Sequence, residues 1–222
     1  PQGIIVTLFK ICGLLDVDSA MIARECAASF LGFVFVPGVR RQLSVDQVAR
    51  IVTEYRRICG SGGPFLVGLF ANQSVEFVNA AIEGCGLDFA QLCGDEPADY
   101  CEKISARVIK QIKIPNEGDF QNIVSDTMQE VDSILGSGSI PLLDRLDRGH
   151  LGGTGKSFDW NIAASLPEDW EFILAGGLNP INVSEAIALT RPWTVDVSTG
   201  VETLGLKDPS KIRAFSEAVL KS

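Results

Sequence analysis

The stretch "LFKICGLL" at residues 8–15 contains the end of the first apolar run of the chain. Cys12 ends that run, and Lys10 lies two positions before it. Side chains two residues apart on a strand lie on the same face, so Lys10 is expected beside the thiol. A nearby ammonium favours the thiolate, the form of cysteine that acts as a base or nucleophile. Most free cysteines fill buried apolar space instead. Cys12 is therefore a candidate for chemistry only if its place in the fold supports that role.

Other polar residues and glycines follow apolar runs in the same way. They are Lys10, Cys12, 37–41, Asn72, 91–96, Asp144, Gly176, Gly177 and 196–200. The ends of the predicted strands are therefore much more polar than their interiors. In barrels of alternating strands and helices, the reacting groups lie where strands end and loops begin. These strand ends are the candidate site.

Three segments late in the chain are rich in Gly, Ser, Thr and Asn. They read "GGTGKSFDW", "LAGGLNPINV" and "DVSTGVE". Glycine lets backbone N–H groups approach a ligand closely, and a helix N-terminus adds positive potential, so such loops suit a phosphate. Their spacing matches neither a P-loop nor a dinucleotide fingerprint. Tight turns without a ligand are the alternative interpretation.

The elements that must position these groups alternate along the whole chain. Eight short β-branched and aromatic runs are predicted as strands: "IIVTLFKI", "FLGFVFV", "FLVGLFA", "LDFAQLC", "RVIKQIKI", "SIPLLD", "EFILAGG" and "TVDVSTG". Segments with helical spacing separate them. Ser44 and Ser74 are predicted N-caps, and Pro209 after Asp208 marks the start of the last helix. The pattern predicts an α/β fold, a (β/α)8 TIM barrel, as a single catalytic domain over residues 1–222. A doubly wound open sheet is the alternative, because periodicity does not prove closure.

Composition excludes several classes of partner. The net charge of −9 disfavours nucleic acid and anionic membranes, which need a surplus of Lys and Arg. No apolar stretch approaches the roughly 20 residues of a membrane helix, and no secretory signal is recognisable. The six cysteines form no C-x-x-C pair and His150 is the single histidine, so a zinc site is not expected. Reduced thiols and a cytoplasmic location are expected instead.

The chain resembles the phosphoribosylanthranilate isomerase family of tryptophan biosynthesis along nearly its full length. The resemblance rests on motifs that occur in family order. They are "KICG" at 10–13, "GFVF" at 32–35 followed by "RRQLS", "VGLFANQS" at 67–74, "QLCGDE" at 91–96, "LLD" at 142–144, "GGTGKSFDW" at 152–160, "LAGGLNPINV" at 174–183 and "DVSTGVE" at 196–202. The resemblance implies a barrel enzyme, an aldose–ketose isomerase that performs an Amadori rearrangement without cofactor or metal.

The family pattern also implies roles for individual residues. Asp144 would be the general acid that protonates the ring oxygen, and Cys12 the general base that removes the C2 proton of the resulting imine. These roles predict a raised pKa for Asp144 and a lowered one for Cys12. Arg41 would hold the anthranilate carboxylate, with Arg40 as its neighbouring competitor.

Further substrate contacts follow from the same resemblance. Lys10 and Asp196 would contact the substrate. The phosphate would be held by Gly153, Gly176, Gly177, Ser198, Thr199 and Gly200. The expected partner is this small molecule, and in some organisms the family's domain is fused to the next enzyme of the pathway.

The chain departs from the family pattern at several positions. Leu15 and Asp16 stand where the family has a different loop, and Cys93 replaces the histidine of "QLHGDE". Leu151 occupies a usual tyrosine position, and His150 is expected to be a solvated side chain. These changes leave the proposed acid, base and arginine in place, and their effect on activity stays open.

Three alternatives remain at this point. One is a catalytically weakened or silent barrel that binds a phosphorylated ligand or serves as a partner module. The second is indoleglycerol-phosphate synthase. The third is a histidine-pathway sugar isomerase, which needs paired aspartates at the ends of strands one and five, whereas strand one ends on Cys12.

Overall fold

The computed structural model describes residues 7–60, 62–146 and 157–222. Eight parallel strands form a closed barrel in chain order. They are β1 Leu8–Cys12, β2 Phe30–Val34, β3 Phe65–Phe70, β4 Phe89–Leu92, β5 Arg107–Ile114, β6 Ile140–Arg145, β7 Ile173–Leu174 and β8 Thr194–Val197. The closing contact pairs β1 with β8, placing Lys10 opposite Asp196. The predicted (β/α)8 barrel is confirmed, and the open-sheet alternative is wrong.

Helices follow the strands on the outside of the barrel. They are α1 Val17–Glu25, α2 Val45–Cys59, α3 Val75–Cys85, α4 Ala98–Cys101, α5 Phe120–Gly136, α6 Trp160–Ala164, α7 Val183–Thr190 and α8 Pro209–Leu220. Ser44 and Gln47 form a capping box at α2 and Ser74 caps α3, so both predicted N-caps are confirmed. The predicted start of the last helix is confirmed too, since α8 begins at Pro209 with Asp208 as its N-cap. The helical segments predicted over "EPADYCEKIS" and "SFDWNIAASL" shorten to about one turn each in α4 and α6.

A short hairpin that the sequence pattern did not predict lies between β8 and α8. A 3-10 turn at Thr199–Val201 leads into β9 Glu202–Thr203, which pairs antiparallel with β10 Leu206–Lys207. The hairpin brings the side chains of Glu202 and Lys207 back towards the end of β8, where Lys207 bonds Ser198. It therefore adds charged groups to the barrel mouth, the end of the barrel where the carboxyl ends of the strands meet the loops.

The interior of the barrel changes from apolar to polar along the strands. A buried apolar cluster fills its lower part and includes Phe30, Val67, Phe89, Ile109, Leu142 and Ile173. Further along the inner faces, towards the carboxyl ends of the strands, Lys10, Gln91, Gln111 and Asp196 are buried polar side chains. Buried polar groups cost free energy unless they are paired, so their presence here marks the functional end of the barrel.

Among the residues described, no helix combines the length and the apolar character needed to cross a bilayer.

Candidate active site

Lys10 and Asp196 form a buried ion pair at the floor of the barrel mouth. The Lys10 Nζ donates to Asp196 Oδ2 at 2.9 Å, and Lys10 has no exposed surface. Burial alone would lower the pKa of Lys10, but the carboxylate of Asp196 outweighs it and raises the pKa, so the ammonium form persists. The other oxygen, Asp196 Oδ1, is buried and accepts no hydrogen bond from a described residue. The pair therefore presents one open acceptor to the mouth.

Cys12 ends β1 beside this pair, and the residue is 5% exposed. Burial raises the pKa of the Cys12 thiol, and the charge of Lys10 offsets only part of that effect. Asp196 also raises the pKa of Cys12, because its negative charge disfavours a second anion nearby. The predicted lowering of this pKa is therefore wrong, because burial outweighs the stabilisation that Lys10 gives to the thiolate.

Asp144 lies near the end of β6, three strands from β1 round the barrel by way of β8 and β7. Its Oδ1 accepts the backbone N–H of Arg145 at 2.8 Å, and its Oδ2 accepts Gln111 Nε2 at 2.8 Å. A Cβ at Gly176 would come within 2.9 Å of Asp144 Oδ1. Glycine there lets the loop after β7 lie directly against the carboxyl group.

Arg41 is held by Glu202 of the hairpin through two hydrogen bonds. Nε donates to Oε1 at 2.6 Å and Nη2 to Oε2 at 3.0 Å. The side chain of Arg41 is 13% exposed, whereas that of Arg40 is 51% exposed, so the structure favours Arg41 as the arginine of the mouth. A Cβ at Gly13 would overlap Arg41 Cδ, so the glycine after Cys12 makes room for this side chain. A guanidinium has five N–H donors, and the Glu202 contacts leave Nη1 for a second carboxylate.

Glu202 joins three cations at once. Besides Arg41, it accepts Arg40 Nη2 at 2.6 Å and Lys207 Nζ at 2.8 Å. Burial alone would raise the pKa of Glu202, but hydrogen bonds from Arg41, Lys207 and Arg40 lower it to about 2. Lys207 also donates to the Ser198 carbonyl at 2.9 Å, and the Ser198 hydroxyl donates to the Cys12 carbonyl at 3.0 Å. A continuous polar network thus connects Arg41 to the backbone of Cys12.

Two glycine-rich turns meet at the ends of β7 and β8. Gly176 and Gly177 both have positive φ, of 86° and 67°. A Cβ at Gly200 would overlap the carbonyl oxygen of Leu178, so only glycine lets these turns touch. The backbone N–H groups of Gly176, Gly177 and Gly200 donate to no described residue. Such N–H groups are suited to an anion.

Predicted phosphate contacts divide into three groups. Gly176, Gly177, Thr199 and Gly200 lie on the two adjoining turns. Ser198 lies there too, but its hydroxyl is engaged with Cys12. Gly153 lies outside the described residues, as do His150 and Leu151.

The departures at Asp16 and Cys93 have structural explanations. Asp16 is the N-cap of α1, and its Oδ1 accepts the Ser19 N–H at 2.7 Å. Cys93 is buried, and burial raises the pKa of its thiol to about 12, so it is a neutral thiol. Its sulfur accepts Gln91 Nε2 at 3.5 Å. Leu15 is partly buried against the apolar core.

Sequence reasoning missed Gln111, Glu202 and Lys207. Gln111 had one signal, an amide at an inward position of the run "RVIKQIKI". Glu202 and Lys207 had none, because their contacts depend on the hairpin. Within the described residues, no group of His, Cys, Asp and Glu is arranged to hold a metal ion.

The fold and the mouth together define a (β/α)8-barrel enzyme, since thiol, carboxyl, guanidinium and glycine-rich turns converge at the carboxyl ends of the strands. The family model described as N-(5'phosphoribosyl)anthranilate (PRA) isomerase matches residues 9–218. The chain belongs to this family.

Individual relatives agree with this assignment. The N-(5'-phosphoribosyl)anthranilate isomerase of Desulforudis audaxviator is 42% identical over 214 residues, covering 95% of this chain and 96% of the relative. The crystal structure of phosphoribosyl anthranilate isomerase from Thermotoga maritima has a TM-score of 0.81 at 30% identity. The match covers 97% of this chain and 100% of that one. Another crystal structure, of phosphoribosyl anthranilate isomerase in complex with reduced 1-(o-carboxyphenylamino)-1-deoxyribulose 5-phosphate, has a TM-score of 0.77 at 29% identity, covering 97% of this chain and 100% of that one.

Proposed function

We propose that this chain isomerises N-(5'-phosphoribosyl)anthranilate to 1-(2-carboxyphenylamino)-1-deoxy-D-ribulose 5-phosphate in tryptophan biosynthesis. The reaction is an intramolecular oxidation and reduction, an aldose–ketose isomerisation. The observation that carries the proposal is the family match over residues 9–218, together with a mouth that holds Cys12, Asp144 and Arg41. The catalysed chemistry needs one acid and one base, and these side chains are of the required types.

The first step is opening of the furanose ring. Asp144 gives its proton to the ring oxygen as the C1–O bond breaks, and the anilino nitrogen supplies the electron pair that forms the protonated imine. Two hydrogen bonds, from Arg145 N–H and Gln111 Nε2, fix the orientation of the carboxyl group. A fixed orientation keeps the acid aimed at one atom of the substrate.

In the second step, Cys12 removes the proton from C2 of the imine. The electrons of that C–H bond form the C1–C2 double bond of an enolamine, and the imine π pair returns to nitrogen. The ketone forms when C1 takes up a proton and the C2 hydroxyl loses its own. The reacting form pairs protonated Asp144 with ionised Cys12. Burial makes the thiolate a minor species but also a strong base, and Lys10 is the cation beside it.

The substrate's charged ends have separate partners in the proposed complex. The anthranilate carboxylate binds the free edge of Arg41, whose opposite edge is fixed by Glu202. Asp196, held by Lys10, accepts a hydrogen bond from the substrate through Oδ1. The phosphate lies on the turns that contain Gly176, Gly177 and 198–200, with Gly153 as a further expected contact.

Three further proposals concern the setting of the enzyme. We place it in the cytoplasm, because all six cysteines are free thiols, a state that a reducing compartment maintains. We also propose that residues 1–222 form one catalytic domain that needs no cofactor. A third proposal is that it works fused to, or beside, other enzymes of the pathway.

The test is conversion of freshly prepared N-(5'-phosphoribosyl)anthranilate, followed by loss of substrate fluorescence and by mass and NMR identification of the product. The parent chain should turn over the substrate, whereas Cys12→Ser and Asp144→Asn should each lose at least about a hundredfold in kcat. Cys26→Ser is the matched control, because Cys26 is a buried cysteine in the outer core. No turnover by a folded parent chain would favour the silent phosphate-binding barrel instead.

A further inference from the structure

Gln111 is a buried amide on the inner face of β5, next to the proposed acid. The residue is 7% exposed, and its Cα pairs with Leu142 of β6, two residues before Asp144. This register places Gln111 Nε2 2.8 Å from Asp144 Oδ2. The contact joins two neighbouring strands, so it depends on the barrel's framework and not on a loop.

The other end of the same amide is buried without a partner. Gln111 Oε1 accepts no hydrogen bond from any described residue. A buried, unpaired acceptor destabilises the fold, which calls for a compensating role. Rotating a carboxamide by half a turn exchanges its oxygen and nitrogen. In the rotated form, Oε1 stands where Nε2 was and can accept a proton donor from Asp144.

We propose that Gln111 is a positioning residue for acid catalysis, holding Asp144 in one orientation in both of its protonation states. The inference rests on the proposed acid role of Asp144. Ionised Asp144 accepts the Gln111 N–H, and protonated Asp144 donates its O–H to the Gln111 carbonyl. The Gln111 carboxamide rotates by half a turn when Asp144 gives its proton to the ring oxygen. It rotates back when Asp144 takes up a proton from solvent or substrate.

Other described groups near Asp144 either donate from the main chain or have partners of their own. Oδ1 is bound to the main-chain N–H of Arg145, which is a fixed donor that favours only the ionised form. Lys113 pairs with Asp144 in the β5–β6 register, and its ammonium contacts Asp95 Oδ1 at 3.1 Å. The Arg145 guanidinium donates to the Ser157 carbonyl at 3.1 Å. Lys, Arg and main-chain N–H groups only donate, whereas the Gln111 carboxamide, which contacts Asp144, can donate through Nε2 or accept through Oε1.

The experiment is a carboxyl titration by NMR, using protein labelled with carbon-13 at the aspartate side-chain carboxyl and Asp144→Asn to assign the Asp144 signal. Gln111→Leu removes a bond from each protonation state, but the charge-assisted bond to the ionised form is the stronger, so the midpoint of the Asp144 titration should rise by about one pH unit. Gln111→Glu places a second carboxyl group there, so the two groups should titrate as a pair whose upper step lies about two pH units above the parent midpoint. Gln91→Leu, at a buried glutamine that contacts Cys93, is the matched control and should leave the Asp144 midpoint unchanged.

The values of kcat and KM distinguish a positioning role of Gln111 from a purely structural one. Gln111→Leu should lower kcat about tenfold with KM changed less than about twofold, because the acid loses its orientation while the binding groups remain. An Asp144 midpoint unmoved in both Gln111 variants would overturn the inference, as would parental kcat in Gln111→Leu. Gln111→Glu has nearly the same shape as the parent side chain, so it carries the test if Gln111→Leu does not fold. The titration needs no turnover, so a moved midpoint in an inactive parent would contradict the proposed function alone.

Discussion

Replacing Glu202 with glutamine removes the carboxylate charge that joins Arg40, Arg41 and Lys207 at the barrel mouth. The pKa of Glu202 falls from 4.5 to about 2, because these three donors outweigh the cost of burial. That difference corresponds to about 3 kcal/mol of folding free energy at 1.36 kcal/mol per pKa unit. Partial access of solvent to the Arg40 side of the cluster reduces the expected effect to about 2 kcal/mol. For a chain of 222 residues, this loss lowers Tm by about 4–8 °C.

The pH dependence has a definite sign. A carboxyl group with a lowered folded-state pKa stabilises the protein fully above its unfolded value of 4.5, and the contribution is lost as pH falls from there towards about 2. The difference in unfolding free energy between the parent and Glu202→Gln should therefore be constant from pH 7 to about 5.5. By pH 3.5, the difference should have narrowed by about 1 kcal/mol.

Urea unfolding at pH 7, 5.5, 4.5 and 3.5 measures this difference directly. Glu54→Gln is the matched control, because Glu54 also pairs with an arginine, Arg57, but at an exposed position on α2. Exposed pairs contribute little, so this control should follow the parent at every pH. If Glu202→Gln is as stable as the parent at pH 7, or if the difference is the same at pH 7 and 3.5, the assigned electrostatic role of Glu202 is wrong.

Three further predictions follow from the described contacts. Gly200→Ala should destabilise the fold by about 3 kcal/mol or more in urea unfolding, because its Cβ would overlap the Leu178 carbonyl; parental stability would mean that the two turns do not touch. Iodoacetamide should alkylate Cys12 slowly at pH 7.5 and faster as pH rises beyond 9, measured by peptide mass spectrometry, because burial raises its pKa; rapid alkylation at pH 7 would contradict that environment. Lys10→Met should cost about 3–5 kcal/mol in unfolding free energy by leaving Asp196 buried without its cation, and adding Asp196→Leu should recover part of the loss; no recovery would show that the cost is not electrostatic.

Much of the architecture could be predicted because it depends on local pattern. Short apolar runs predicted the eight strands, and the closed order β1 to β8 confirmed the barrel. Ser44 and Ser74 were recognisable as caps, since a cap is defined within four residues of sequence. The shortness of α4 and α6 was not predictable, because helical spacing alone does not show where tertiary packing stops a helix.

Predicting the candidate site was limited by contacts between distant parts of the chain. Strand ends indicated Lys10, Cys12 and Asp196, but the pKa of Cys12 depends first on its burial and then on the charges of the other two. Arg41 and Glu202 are 161 positions apart, and only the hairpin after β8 brings them together. Spacing predicts which residues face the mouth, whereas pairing and protonation depend on register and burial.

The central claim is that Asp144 and Cys12 carry out acid and base catalysis on N-(5'-phosphoribosyl)anthranilate. The most direct measurement is kcat/KM of the parent, Asp144→Asn and Cys12→Ser in deuterated buffer, with the product analysed by NMR. The proposed steps require that the parent form a product with solvent deuterium at C1, and that each variant lose at least about a hundredfold in kcat/KM. Parental rates in either folded variant would contradict the assigned roles, and a folded parent that leaves the substrate unchanged would contradict the function itself.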